Sequence, residues 1–165
     1  MGRITAKDVA VNTVLSQLLT RTPIRTFILW PLIVAAVEAA AQRHAPEVHP
    51  WALAIMAWGY LQYHFVGRYR KRIGGGGPGL TPPPVGLVTD GPYRWCRNPM
   101  YLGHLIFLSG LSFFFASWFG AAVVLFHVVW FERRVRRDEV HIGELFGDAY
   151  REYCARVKRW LPGVY

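Results

Sequence analysis

Residues 101–119 (YLGHLIFLSGLSFFFASWF) run without a single formal charge. About 20 apolar residues take a helix across the hydrocarbon core of a bilayer. Inside lipid, only helices and closed barrels satisfy every backbone donor and acceptor. Three further apolar blocks, 26–41, 51–66 and 120–131, accompany this one. A composition of 53% hydrophobic residues would suit a soluble core as well, but here the apolar residues come in blocks rather than in amphipathic stripes. No segment reads as a strand. The expected fold is all-α: one domain, residues 1–165, built as an integral-membrane helical bundle. It would have about four transmembrane helices and a C-terminal amphipathic helix.

The placement of charge orients this layout. The chain carries 19 Lys and Arg against 10 Asp and Glu, a net charge of +9. Of the basic residues, the layout puts only Arg43 on the far side. Basic residues concentrate on cytoplasmic loops, so both termini are expected in the cytoplasm and the bundle in the cytoplasmic (inner) membrane. A nucleic-acid partner fits poorly, because the charges gather at the ends of apolar segments instead of along one soluble face. At those ends they can attract anionic headgroups, which makes membrane lipids partners. Residues 9–19 read as a helix lying at the interface. The N-terminus lacks a signal-peptide layout, and Ala6 stands where myristoylation asks for Ser or Thr. Cys96 and Cys154 form no C-x-x-C motif and are expected as free thiols; Arg94 and Arg97 beside Cys96 could lower its pKa.

Details along the chain refine the bundle. Pro31 falls within the first block and predicts a kink, and Glu38 near the block's far end is expected to snorkel to the interface. Trp51, Trp58, Tyr60 and Tyr63 bracket the second block, as interfacial aromatics do. Residues 73–84 (IGGGGPGLTPPP) read as a pliant joint followed by a stiff arm, either a plain linker or a device that folds 85–101 back over the bundle. Ser109, Gly110, Ser112 and Ala116 offer small faces for helix contact. A short turn near 117–120 makes the last two spans a hairpin.

The fourth block poses the informative problem. Its 12 apolar residues cover only about 18 Å as a helix, whereas the hydrocarbon core is about 30 Å thick. The helix must therefore continue into ERRVRRDE, residues 132–139, at or below the headgroups. Charged groups at that depth cost about 2.5–3.5 kcal/mol each when they face lipid, so they should turn inward around a polar pocket. On this helix Arg134, Asp138 and His141 share a face, and Val135, Glu139 and Ile142 share the next. On a soluble helix the same residues would be read as surface ion pairs, Glu132 with Arg136 and Arg134 with Asp138. Residues 146–157, after Gly143, show helical spacing of Phe146, Tyr150, Tyr153, Cys154 and Val157. They should lie on the membrane surface or cap the pocket. The six histidines lack metal-ligand spacing, so no metal site is expected.

The order GLVTDGPYRWCRNPMYLG, apolar hairpin, DEVHIGELFGDAYREYCARVKRWLP resembles the isoprenylcysteine carboxyl methyltransferase and phospholipid methyltransferase superfamily of integral-membrane methyltransferases. The likeness covers 85–162, nearly half of the chain. It implies S-adenosylmethionine as cofactor, held at the cytoplasmic face by segments 85–104 and 132–162, and a lipophilic substrate entering from the bilayer. The family's R-H-P-x-Y motif corresponds to Arg97, Asn98, Pro99, Met100 and Tyr101. Its upstream tyrosine corresponds to Tyr93, and its apolar strip to Val85, Gly86, Leu87 and Val88. The paired glutamates correspond to Asp138 and Glu139, and the substrate-contacting arginine to Arg134. Two departures stand out: Asn98 replaces histidine, and Asp138 replaces the first glutamate.

The residue types suit the chemistry. Carboxylates can hold the amino group or ribose hydroxyls of a sulfonium cofactor, a guanidinium or amide its carboxylate, and aromatic faces its cation. Methyl transfer depends chiefly on alignment of nucleophile, methyl and sulfur. Arg134 and Glu139 are the catalytic candidates. Arg134 would position an anionic acceptor; Glu139 or His104 would serve as base for an amine or hydroxyl. The acceptor would be isoprenylcysteine-carboxylate-like or phospholipid-like. Two alternatives share the layout: an NADPH-dependent membrane reductase of the sterol-reductase type, and a non-catalytic membrane protein.

Overall fold

The structure, a computed structural model, describes residues 21–41, 47–77 and 80–160. The interfacial helix expected at 9–19, and Arg43, lie outside them. Four helices carry the described residues, and none of these residues is in a strand: α1 (Thr22–Ala41), α2 (Ala52–Gly74), α3 (Pro99–Phe114) and α4 (Trp118–Arg156).

Helix α1 has a π-helical turn, Arg25–Leu29, immediately before Pro31. Proline has no N–H, and its ring presses on the carbonyl four residues back. Widening the preceding turn, with the Trp30 N–H bonded to the Arg25 carbonyl, relieves that crowding. Helix α1 is the one helix among the described residues long and apolar enough to cross a bilayer, with a mean hydropathy of 1.7 and only 11% of its residues buried within the protein. Helix α3 is apolar but has 16 residues, about 24 Å of rise. The four-crossing layout is therefore not established by helix length and hydropathy. The outward faces are nevertheless greasy: Leu32, Trp58, Phe65, Trp118, Leu125 and Phe126 are all exposed.

Helices α2 and α3 meet backbone to backbone. A Cβ on Gly59 would strike the Phe107 amide and the Gly103 carbonyl, and one on Gly103 would come within 2.8 Å of the Gly59 carbonyl. Gly110 repeats the contact against Met56. Of the small residues expected at helix contacts, Gly110 and Ser112 are buried there, Ser109 is half-buried and Ala116 is exposed in the turn. Val34, Phe107, Leu108, Leu111 and Val123 form the core between α1, α3 and α4.

The hairpin turn falls at 115–117, earlier than expected, with Ala116 at φ 46°. Ser117 caps α4 by accepting from the Gly120 N–H at 2.8 Å. Gly120 is a contact residue and not a turn residue: its Cα faces Ser112 closely enough to exclude a side chain. Glu38 does not snorkel, because the Ser117 hydroxyl donates to its carboxylate and ties α1 to this turn. Helix α4 then runs unbroken through the charged tract. It breaks at Gly147 (φ 52°, ψ −124°), where the backbone leaves helical geometry and a last helical segment ending at Arg156 begins; Gly143 lies within the helix. The segment after this kink packs inward over the end of the bundle, the capping placement of the two expected for it. Tyr150 and Tyr153 bury their rings against Val66, Val88 and Tyr93.

Candidate active site

The C-terminus of α2 sets one wall. The Gly74 carbonyl accepts from the Val85 and Gly86 amides at 2.9 and 3.2 Å, and the Gly77 amide donates to the Pro82 carbonyl. Arg70 donates to the Gly77 carbonyl at 3.0 Å. The Gly-Pro tract is thus folded on itself, which lays Gly86, Leu87 and Val88 over the end of the bundle. A Cβ on Gly74 would meet Val88 at 2.7 Å, so this close approach requires glycine.

The next segment turns through a 3₁₀ helix, Gly91–Arg94, whose carbonyl at Tyr93 accepts from the Tyr153 hydroxyl at 2.7 Å. Burial pushes the Tyr93, Tyr150 and Tyr153 phenols well above their ordinary value, so at neutral pH all three are hydrogen-bond donors. Burial also pushes the Cys96 thiol up, overcoming the effect of the Asn98 amide. That outcome opposes the lowered pKa that Arg94 and Arg97 could have produced and agrees with the expected plain thiol. Both cysteines are free.

Arg97 joins the loop to α4 and to the chain's final described turn. Its Nε donates to Glu139 at 3.0 Å, and its Nη1 donates to the Cys154 and Val157 carbonyls at 3.3 Å. The Arg97 amide donates to the Lys158 carbonyl, and the Asn98 side-chain amide to that of Arg159. Arg159 closes the network, with Nη2 on the second Glu139 oxygen at 2.8 Å and Nη1 on Glu132 at 2.8 Å. Trp160 donates to the remaining Glu132 oxygen at 2.6 Å. Burial alone would raise the Glu132 carboxyl. The bonds from Trp160 and Arg136 and the charges of Arg159 and Arg136 outweigh it and hold this carboxyl below its ordinary value.

Asp138 and Glu139 face different partners, as neighbours on a helix must. Asp138 accepts from the Tyr101 hydroxyl at 2.9 Å and pairs with Arg134 at 3.4 Å. Both surface pairs expected at i,i+4 are present, since Arg136 also meets Glu132 at 2.7 Å.

Between these elements lies a cavity of about 70 Å³. Among the sequence candidates, Gly86, Leu87, Val88, Tyr93, Arg97, Asn98, Asp138 and Glu139 line it. Val85 does not, being 87% exposed. Pro99 is buried at the start of α3, where its carbonyl accepts from Gln62. Met100 packs against the tyrosine cluster, and Tyr101 and Arg134 sit on the far side of Asp138. His104 is inside the bundle, stacked on Phe27 at 4.8 Å. His141 is half out in solvent near Glu144. The sequence reading passed over Arg70, Leu80, Pro84 and Arg159. Ile142, Phe146, Tyr150 and Tyr153 belong to the segment 132–162 expected at the site, and the aromatic spacing of 146–153 is the signal for the cap, but none of the four is singled out by the sequence as a ligand. No metal-binding cluster of His, Cys, Asp or Glu occurs among the described residues.

The site is a largely apolar cavity at the end of a helical bundle, into which Arg97 and Asn98 from the loop and Asp138 and Glu139 from one helix bring polar groups. The chain belongs to the phospholipid methyltransferase family, whose family model matches residues 51–149, more than half of its length. It is similar to protein-S-isoprenylcysteine O-methyltransferases: 32% identical over 78 residues to that of Schizosaccharomyces pombe, covering 46% of this chain and 33% of the relative. With the Mus musculus protein it shares 35% over 80 residues (47% and 28%). With protein A of Arabidopsis thaliana it shares 37% over 81 residues (48% and 41%). The matched region thus spans between about a quarter and two fifths of the length of these relatives.

Proposed function

We propose that the protein is an integral-membrane, S-adenosylmethionine-dependent methyltransferase acting on a lipophilic or lipid-linked acceptor. One observation carries this reading. The carboxylates of Asp138 and Glu139, the Arg97 guanidinium, the Asn98 amide and the Tyr93 ring all border a single cavity at the end of a bundle with greasy outer faces. The family match and the names of the relatives support methyl transfer and give the reductase alternative no footing.

The donor set fits a sulfonium amino acid joined to a nucleoside. Carboxylates suit its ammonium and ribose hydroxyls, Arg97 its carboxylate, and Tyr93, Phe146 and Tyr150 its cationic and planar parts. The cavity is smaller than the roughly 300–1,000 Å³ usual for ligand sites. Glu139 is occupied by Arg97 and Arg159, so binding has to part this latch. S-adenosylmethionine, when bound, supplies an activated methyl group. The chain's own residues hold and orient it, and the closed tyrosine cluster excludes water. The proposed topology has four crossings, both termini in the cytoplasm and the cavity on that side. The basic C-terminal end of α2 and the charged tract of α4 support this orientation.

Titrating detergent-purified protein with S-adenosylhomocysteine in a calorimeter tests the reading. Saturable binding is expected. No heat at millimolar ligand, from protein that still melts cooperatively, would refute it.

A further inference from the structure

Four charged side chains line the cavity: Arg70, Arg97, Asp138 and Glu139. Three of them are neutralised. Arg97 pairs with Glu139 at 3.0 Å, and Asp138 pairs with Arg134 at 3.4 Å. Arg159 adds a second cation to Glu139 at 2.8 Å. Arg70 takes part in no ion pair among the described residues. Its Nη2 donates to the Gly77 carbonyl, a neutral acceptor, at 3.0 Å. Its Nε is buried and has no partner.

Position explains why this cation is held inside. Arg70 belongs to the basic end of α2, where Arg68, Lys71 and Arg72 are exposed and solvated. It lies one turn before Gly74, whose carbonyl ties down the returning chain through the Val85 and Gly86 amides. That chain brings Leu80, Pro84, Leu87 and Val88 into the wall that Arg70 shares. The Arg70 charge also reaches the buried Tyr93 phenol, whose upward push it opposes. A guanidinium offers five N–H donors, and a charged donor left unpaired in such surroundings is costly. An anion entering the cavity would satisfy it. Arg97 has less to offer, because its Nε is taken up by Glu139 and its Nη1 by the Cys154 and Val157 carbonyls. A ligand with an ammonium and a carboxylate on one carbon therefore meets carboxylates from α4 and an uncommitted cation from α2.

We propose that Arg70 binds, beside Arg97, the carboxylate of the methyl donor's amino-acid part and so makes the cavity select ligands that carry this group. The proposal rests on the methyltransferase reading and adds to it a specificity-determining residue on α2. Guanidinium groups suit carboxylates through paired N–H donors, and the bond to Gly77 holds the side chain in place before the ligand arrives.

The test is calorimetry with two ligands: S-adenosylhomocysteine and its decarboxylated analogue, which keeps the nucleoside, the thioether and the amine. Each is titrated into the unaltered protein, Arg70→Gln and Arg70→Lys. The unaltered protein should bind S-adenosylhomocysteine at least about tenfold more tightly than the analogue, the equivalent of one charge-assisted bond. Arg70→Gln should weaken S-adenosylhomocysteine by about tenfold and leave the analogue unchanged. Arg70→Lys keeps the charge without the fork and should fall between. Equal losses for both ligands in Arg70→Gln would make Arg70 a prop for the folded-back chain and overturn the proposal. Undiminished affinity for S-adenosylhomocysteine in that variant would overturn it too. Should Arg70→Gln fail to fold, Arg70→Lys and the preference of the unaltered protein decide, and equal affinity for the two ligands would sink the idea. An unaltered protein that melts cooperatively and binds neither ligand would refute the methyltransferase reading and this proposal together, whereas S-adenosylhomocysteine binding that is indifferent to Arg70 would refute this proposal alone.

Discussion

Replacing Arg159 by alanine isolates the latch from the ligand set. In the wild type its guanidinium makes bonds at 3.1 and 2.8 Å to Glu139 and one at 2.8 Å to Glu132. Its side chain is 21% exposed, and those of the two carboxylates are 21% and 13% exposed. Hydrogen bonds to charged groups contribute about 1.5–3 kcal/mol each, but these three share one guanidinium and partial solvation weakens them. A total of about 2 kcal/mol is the expected loss of stability. The same change frees one oxygen of Glu139, which keeps Arg97 as its partner. If ligand binding must first part Arg159 from Glu139, apparent affinity is the intrinsic affinity reduced by the open fraction. Even half of that 2 kcal/mol acting against opening would mask affinity by about fivefold. Arg159→Ala should therefore melt earlier and yet bind S-adenosylhomocysteine about three- to tenfold more tightly by calorimetry. Weaker binding at retained fold would refute the latch and make Arg159 a ligand of the cofactor.

Glu139→Gln removes the charge that Arg97 and Arg159 share, and should weaken S-adenosylhomocysteine by about tenfold or more; unchanged calorimetric affinity would exclude Glu139 from the site. Gly59→Leu drives a side chain into the Phe107 and Gly103 backbone and should cost about 1–3 kcal/mol, read as a lower melting temperature in detergent. Glu132 has a folded pKa below its unfolded one. Its stabilisation is therefore fully present above the ordinary carboxylate value of about 4.3 and lost as pH falls through the depressed value. Melting scans from pH 7 to 3 should show that acid loss, and Glu132→Gln should flatten part of it. N-ethylmaleimide at neutral pH should label half-buried Cys154 before Cys96, whose thiol is buried and shifted upward; mass spectrometry of the peptides gives the order.

What the sequence disclosed and what it hid divide along physical lines. Charge next to hydrocarbon is costly wherever the chain goes, so the tract 132–139 announced itself before any fold was known. The i,i+4 pairs followed from helical geometry alone. Turn positions were harder to read. Gly120 looks like a turn residue, yet it serves a close contact with Ser112. The actual left-handed turn residue, Ala116, has no local signature. Ser117 offered a capping hydroxyl, but it was hidden among phenylalanines. Gly59 gave no signal, because an isolated glycine in an apolar span does not reveal which helix will press on it. Arg159 was hidden for a different reason. A basic tail reads as a solvated run, and only the tertiary return of 157–160 to the Arg-Asn-Pro loop makes that arginine a partner of Glu139.

The two neighbouring carboxylates also suggest how a single helix could serve two ligands. Successive residues on an α-helix point about 100° apart. Glu139 accordingly turns toward Arg97 and Arg159 at the loop side, while Asp138 turns toward Tyr101 and Arg134 at the bundle side. In the proposed reaction both carboxylates border the methyl donor's cavity, and the Arg134 guanidinium on the bundle side of Asp138 would hold the acceptor from the lipid. The methyl group then has only the width of α4's inner face to cross. Such an arrangement needs the second side to remain polar at the end of an apolar bundle, and the Asp138–Arg134 pair supplies that. Arg134→Ala would leave Asp138 to Tyr101 alone. It should therefore lower turnover of any acceptor more than it lowers S-adenosylhomocysteine affinity, whereas Glu139→Ala should do the reverse. Equal losses in both measurements for both variants would mean that the two sides form one undivided site.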